Sequence, residues 1–376
     1  MLNKVGVDKW CFRGLIGKGL SMALIRALTL HVAPRNWSPH DIVDSVIELV
    51  SKVRDCIRTC GLNVWTLRAI LPPLPASLDR EWCQRLARML ASIDDILIAA
   101  FPLECESPCT DIILELIDNA HNIYGSIRCD SDTCLLRAVN KTLKKSVEPD
   151  TYTRFAITVG TWIETPYFPA AANVSMSMGI SASLRYVDLV ERALLHGDVE
   201  KLTEFIESSI RKLHSVALCS ELPFRGIDLS LSPWMDESVG HLIEKLISAK
   251  IGSPGTINAV HSLNMFIKAI ARKMRLNVIG FNEVMLSVAE DNILNERVKE
   301  GYVRLRDLVC YSLFCAPGLD MVAIPRSIDL DRLAIDVFTV HKYKMRTLII
   351  RVIPVDAEPG TPIQLKNIGT TYVSLP

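Results

Sequence analysis

Asp228, Ser230 and Ser232 stand at alternate positions in Gly226-Ile-Asp-Leu-Ser-Leu-Ser-Pro233. In a β-strand that spacing turns all three side chains to one face and Ile227, Leu229 and Leu231 to the other. A carboxylate flanked by hydroxyls suits a polar ligand, with Asp228 as general acid/base or metal ligand and Ser230 and Ser232 orienting it. A structural hydrogen-bond network is the competing reading. Ser175, Ser177 and Gly179 repeat the alternation opposite Met176 and Met178 over an expected strand 173–178. Ser175 and Ser177 therefore join the candidate substrate-binding set, and Glu164 and Tyr167 lie in the turn before them.

Glu290 and Asp291 follow a strand and open a helix. They read either as helix-capping acids or, together with Asp228, as ligands of a hard divalent cation such as Mg²⁺. Gly255 and Thr256, in Ser253-Pro-Gly255-Thr256-Ile-Asn258, begin another helix, whose free amides could cradle an anion. The segment lacks a nucleotide-binding glycine pattern. Cys315 is a candidate nucleophile if its pKa is depressed, and otherwise a core thiol. The eleven cysteines include the near pairs Cys56/Cys60, Cys105/Cys109, Cys129/Cys134 and Cys310/Cys315. None has C-x₂-C spacing, so a zinc or iron–sulfur site is not expected, and one or two disulfides stay open. His31, His121 and His261 are isolated and read as structural.

Alternating elements would position these groups. Ile25–Val32 reads as a buried strand, and Ser38-Pro39 opens a helix whose apolar positions run to Ile57. Strands follow at 63–71, 95–100, 123–128 and 155–161, with helices at 79–90, 108–119 and 131–146. After Pro166-Tyr167-Phe168-Pro169, the second half carries strands at 173–178, 226–231, 276–288, 321–324, 346–354 and 361–374. Its helices are expected at 183–195, 198–217, 237–248, 256–273, 291–299, 304–314 and 329–341. This β/α alternation argues for parallel strands with helical crossovers.

Composition narrows the function. Forty-two basic residues balance forty-two acidic ones, without a basic arm, which argues against a nucleic-acid partner. No apolar run approaches the ~20 residues that span a bilayer. Arg13, Lys18 and Arg26 break up a signal-like start, so a cytoplasmic protein is expected. Residues 1–21 read as an N-terminal extension, and 22–376 as a single domain with halves at approximately 22–165 and 166–376. Gln84 and Gln364 are the only glutamines, a hyperthermophile-like trait.

Several segments together resemble an uncharacterised family, domain-of-unknown-function family 711 or uncharacterised protein family 0210. They are Gly226–Pro233, Val288-Ala-Glu-Asp291, Cys315-Ala-Pro-Gly-Leu-Asp-Met-Val-Ala-Ile-Pro325 and Arg351-Val-Ile-Pro354, with a looser match from Thr165 to Ile180. The resemblance implies a ten-stranded α/β barrel of the pyruvate formate-lyase type, made of two five-stranded half-sheets enclosing a loop, and a homodimer. Asp228, Ser230 and Ser232 would then face the barrel interior. In glycyl radical enzymes the radical glycine follows Arg-Val-x. Here that place holds Pro354, so radical chemistry of that type is not expected. The leading expectation is a metabolic enzyme acting on a small anionic molecule inside the barrel, with Asp228, Glu290 and Cys315 catalytic. The binding groups would be Ser175, Ser177, Ser230, Ser232, Gly255 and Thr256. The alternative is a non-catalytic small-molecule sensor on the same scaffold.

Overall fold

A computed structural model describes residues 24–376; the expected extension at 1–21 lies outside the described residues. The fold is mixed α/β, built on a ten-stranded, mostly parallel sheet. The strands are β1 (Leu24–His31), β2 (Val64–Ile70), β3 (Leu97–Glu104), β4 (Ile123–Cys129), β5 (Phe155–Val159), β6 (Gly179–Arg185), β7 (Phe224–Asp228), β8 (Met285–Ser287), β9 (Ala316–Pro325) and β10 (Leu348–Val355). A C-terminal hairpin adds β11 (Pro362–Leu365) and β12 (Gly369–Tyr372). The helices are α1 (Pro39–Thr59), α2 (Arg80–Leu90), α3 (Ile113–Asp118), α4 (Asp132–Lys141), α5 (Pro149–Tyr152) and α6 (Val187–His196). Then come α7 (Val199–Cys219), α8 (Val239–Ile247), α9 (Thr256–Lys273), α10 (Asn292–Lys299), α11 (Leu305–Tyr311) and α12 (Leu330–Lys344).

The strand order is β7-β6-β1-β2-β3-β4-β5-β10-β9-β8. Strands β1 to β5 run parallel; β6 meets β1 and β10 meets β5 antiparallel, while β6–β7 and β8–β9–β10 are parallel within themselves. The two ends of this order are also linked. Bridges join Ile227 to Val278 and Leu231 to Val284, and the Met285 amide donates to the Leu231 carbonyl at 2.9 Å.

Local chemistry explains the helix starts. Ser38 Oγ accepts from the Asp41 amide, Asp79 caps α2 through the Trp82 amide, and Pro39 occupies the first turn of α1. Apolar residues on one face of each strand, such as Leu28, Ile98, Ile127, Ile157, Ala182 and Val352, pack with the helices in the main core. The opposite face of the sheet carries polar residues and a few small apolar clusters.

The structure corrects several sequence expectations. Residues 173–178 form a turn, and the strand begins at Gly179, so Ser181 and Ser183 hold the strand positions expected of Ser175 and Ser177. The amphipathic run that suggested a helix from 183 starts only at Val187. The expected strand 276–288 shrinks to three residues with single bridges before it. The expected strand 321–324 lengthens to β9, Ala316–Pro325. Gly318 lies inside the ten-residue β9 with φ +135°, where a Cβ would collide with the Ile349 backbone. Segment 361–374 is a hairpin.

None of the near cysteine pairs is bonded. Cys56 of α1 joins Cys219 of α7, and Cys83 of α2 joins Cys109 in the turn before α3. Among the described residues no helix is long and apolar enough to cross a membrane. Both disulfides staple the helix layer. Replacing Cys56 and Cys219 together by alanine is expected to lower unfolding free energy by about 2–5 kcal/mol, read by urea titration. Thiol titration of the unfolded wild type that finds Cys56 and Cys219 free contradicts the pairing.

Candidate functional site

The polar face of the sheet is covered by its own chain. Residues 165–173, between β5 and β6, are buried throughout and lie against that face. Phe168 and Ala171 pack on Ile70 and Ala99, Ala170 on Ala156 and Ile349, and Tyr167 on Phe281, Met285 and Ala316. The Pro166 carbonyl accepts from Arg68 at 2.9 Å, and Asn173 donates to the Val32 carbonyl at 2.8 Å.

Beneath this segment lies a cluster of charges. Arg26 of β1 donates to Glu290 at 3.1 Å and to the Pro233 carbonyl at 3.0 Å. Glu290 also meets Arg351 of β10 at 3.2 Å, and Arg351 Nε donates to Asp320 of β9 at 2.5 Å. Burial works against the charge on Arg351, but Asp320 and Glu290 outweigh it and raise its pKa. Arg26 also lies over the rings of Trp65, Tyr167 and Trp234.

Arg68 of β2 differs from these. It donates to Thr66 at 3.0 Å and to Pro166, and its guanidinium lies 5.1 Å from the Phe168 ring centre. Among the described residues no carboxylate stands within ion-pair distance of it. Enclosure by protein, with the Arg26 charge second, brings its pKa down to about 10. Tyr124 of β4 is likewise enclosed, and burial raises its phenol. Both side chains are deep in the fold, yet both keep accessible surface. On the same sheet face, among the described residues, the hydroxyls of Ser126 and Thr158 are buried without a partner, and that of Ser287 lies beside Asp320.

The sequence candidates distribute differently. Asp228 is fully buried on this face, and its carboxylate accepts five bonds: from the Ser230 amide and hydroxyl, the Phe281 and Asn282 amides, and Thr165. Burial nevertheless raises its pKa. Gly280, at φ +83°, has no room for a Cβ beside that carboxylate. Asp228 thus ties β7, loop 279–283 and the covering segment together, with Ser230 in the same network. Ser232 is buried nearby in sequence.

Ser175 and Ser177 sit at the rim, apart from Asp228. There they bond each other and Arg225, which also pairs with Glu164 at 3.2 Å. Next to them His31 Nε2 lies 2.8 Å from Ser181 Oγ. Glu290 is the one sequence candidate at the arginine cluster. Asp291 caps α10 through the Ile293 and Leu294 amides and accepts from Ser238 and Gly240. Asp228, Glu290 and Asp291 are each bound to separate partners and do not converge on one point. Burial pushes the Cys315 thiol up to about 12, the reverse of nucleophile activation. Gly255 and Thr256 start α9 in the helix layer, where Thr256 bonds Gly252 and Ser253. A surface depression of about 400 Å³, lined by His241, Glu244, Lys245 and Lys250 among others, also belongs to that layer.

Sequence reasoning missed Arg26, Arg68, Asp320 and Arg351. The available signal was a single charge inside an apolar strand, as in Leu348-Ile-Ile-Arg-Val-Ile-Pro-Val355.

Residues 108–365 match the model of the family described as Uncharacterised ACR (DUF711). The chain belongs to this family. That match includes Glu290, Asp320 and Arg351, while Arg26 and Arg68 precede it. A UPF0210 protein of Pyrobaculum aerophilum is 28% identical over 414 residues, covering 95% of this chain and 91% of that protein. A UPF0210 protein of Sulfurisphaera tokodaii is 28% identical over 58% of this chain, which spans about half of that relative (53%). Among solved structures, a putative prephenate dehydrogenase from Corynebacterium glutamicum aligns over 88% of this chain and 99% of its own at 11% identity. Its TM-score of 0.17 carries no argument.

His31 gives this subsection its test. Burial lowers its pKa from 6.5 to about 4, so the unfolded chain takes up that proton first as pH falls. Stability gained by keeping the ring neutral is present above pH 6.5 and is lost as pH drops towards 4. The loss is of the order of 3 kcal/mol. Urea titrations between pH 7 and 4 are expected to show this component in the wild type and not in His31→Gln. Parallel pH profiles for the two proteins contradict it.

Proposed function

We propose that the protein binds and transforms a small anionic molecule on the inner face of a sheet closed into a barrel. The isolated bridges from Ile227 of β7 and from Leu231 just after it to Val278 and Val284, in the segment before β8, support closure. The observation that carries the anion reading is Arg68, an enclosed guanidinium without an ion-pair partner among the described residues. In the cluster, Arg26, Arg68 and Arg351 oppose Glu290 and Asp320; three charges against two leave one positive charge in excess. An uncompensated charge in such surroundings costs several kcal/mol. A carboxylate or phosphate supplies the missing charge and matches the planar guanidinium. Ser126, Thr158 and Ser287 offer hydroxyls on the same face.

In this reading Glu290, between two arginines, is the acid–base group, and the protonated Tyr124 phenol is a donor. Asp228 and Ser230 anchor the covering loop, and Ser175 and Ser177 belong to the rim. Pro354 replaces the radical glycine of the resembled motif, so no glycyl radical step enters the proposal. One observation favours the sensor alternative: both carboxylates of the cluster are already paired with arginine. A homodimer remains part of the proposal, to be read by light scattering.

Thermal unfolding with millimolar small carboxylates or inorganic phosphate tests the binding claim. At a concentration of 100 Kd a ligand stabilises by about 2.7 kcal/mol, a shift of several degrees. The expected result is an anion-specific shift in the wild type that Arg68→Met abolishes. No shift with any anion, or an equal shift in Arg68→Met, contradicts the proposal. Turnover of the binding anion that Glu290→Gln abolishes without loss of binding separates the enzyme from the sensor.

A further inference from the structure

On the opposite side of the sheet, three cysteines converge. Cys105 follows β3, Cys129 ends β4, and Cys134 lies in the first turn of α4. Their sulfur atoms all lie within 4.8 Å of one another, and all three residues are buried. They belong to the helix-packed core, behind the polar face and separate from the arginine cluster. Four other described cysteines are oxidised in two pairs, whereas these three are not bonded to one another. An odd number of thiols in mutual contact cannot be fully satisfied by disulfides.

We propose that Cys105, Cys129 and Cys134 form a binding site for a thiophilic d¹⁰ cation, Zn²⁺ or Cu⁺. Metal–sulfur bonds of about 2.3 Å place neighbouring sulfurs of a tetrahedral centre about 3.8 Å apart. The cluster reaches that spacing by shifts of at most about 1 Å. Three thiolates select soft ions over Mg²⁺ or Ca²⁺. Each sulfur binds as thiolate and releases its proton to solvent.

Hydrogen bonds within the cluster favour the charged form at Cys105 and disfavour it at Cys129 and Cys134, so one thiolate is favoured before a metal arrives. Cys134 sits near the positive end of α4, its amide bonded to Ser131 Oγ at 3.3 Å. Arg137 and Lys141 act electrostatically on Cys105. Three thiolates around a divalent ion leave one negative charge, which these cations offset. Besides the bonds among themselves, the thiols make long bonds to the backbone, Cys105 to the Cys134 carbonyl at 3.3 Å and Cys134 to the Arg128 carbonyl at 3.4 Å. Little is forfeited on exchanging them for metal bonds.

The site also has a place in the fold. Glu104 and Arg128, beside Cys105 and Cys129, pair on the other side of the sheet at 2.7 Å, and Trp162 Nε1 donates to Glu104 at 2.7 Å. A metal would clamp the ends of β3, β4 and α4 and hold the register in which that pair forms.

The test uses the full chain, reduced and freed of metal, then loaded with Zn²⁺ or, anaerobically, with Cu⁺. Metal content after desalting and X-ray absorption at the metal edge are the readouts. The expected result is one equivalent bound with a sulfur-dominated first shell at about 2.3 Å. Cys129→Ser and Cys134→Ser are expected to lose it, and Cys310→Ser, at an exposed free thiol, to retain it. Failure of either ion to bind stoichiometrically, or a shell of nitrogen and oxygen only, overturns the proposal. A native disulfide between any two of the three, found by peptide mapping, also overturns it. The wild-type measurements decide the matter even if a serine variant fails to fold.

Discussion

The ion-pair chain Arg26–Glu290–Arg351–Asp320 links β1, the turn after β8, β10 and β9 across the polar face of the sheet. Arg26, Arg351 and Asp320 are nearly inaccessible to solvent, so their charges have given up most of their hydration. Such groups persist only because each guanidinium meets a carboxylate, and removal of one partner strands the other. The remaining architecture can be followed from this condition. A charged face cannot collapse like an aliphatic core, so an apolar segment, 165–173, covers it and carries Tyr167 and Phe168 onto the arginines. That segment is held in turn by Asp228 through Thr165 and by Asn173 through β1.

Arg68 is where this arrangement stays electrostatically incomplete. Its neighbours are a carbonyl, a hydroxyl and an aromatic ring, none of which carries a full negative charge. A fold that needed Arg68 only for packing would be better served by an apolar residue of similar volume. The helix layer is built differently, with two disulfides and an aliphatic core, and its one cluster of potential ligands among the described residues is made of sulfur.

The alternation of strands and helices was legible because apolar periodicity and caps such as Ser38 and Asp79 are local signals. Strand Gly179–Arg185 was missed because its Ser181 and Ser183 alternate within a stretch that also reads as an amphipathic helix. Asp228, Ser230 and Glu290 could be singled out as polar residues in apolar surroundings, but β7 ends at Asp228 and their partners were not readable. Three of the five donors to Asp228, on Thr165, Phe281 and Asn282, come from loops some 53–63 residues away in either direction, and the arginines facing Glu290 come from both ends of the chain. The cysteines make the same point. Spacing rules compare neighbours in sequence, whereas Cys56 meets Cys219, and Cys105 meets Cys129 and Cys134, only through the packing of separate elements.

The most direct measurement is anomalous diffraction from crystals of the protein soaked in bromide or selenate, small anions visible at their absorption edges. The account predicts an ordered anion peak on the inner face within about 4 Å of the Arg68 guanidinium, the range of a charge-assisted contact. A well-ordered inner face filled by protein side chains, with anions bound only at the outer surface, would contradict it.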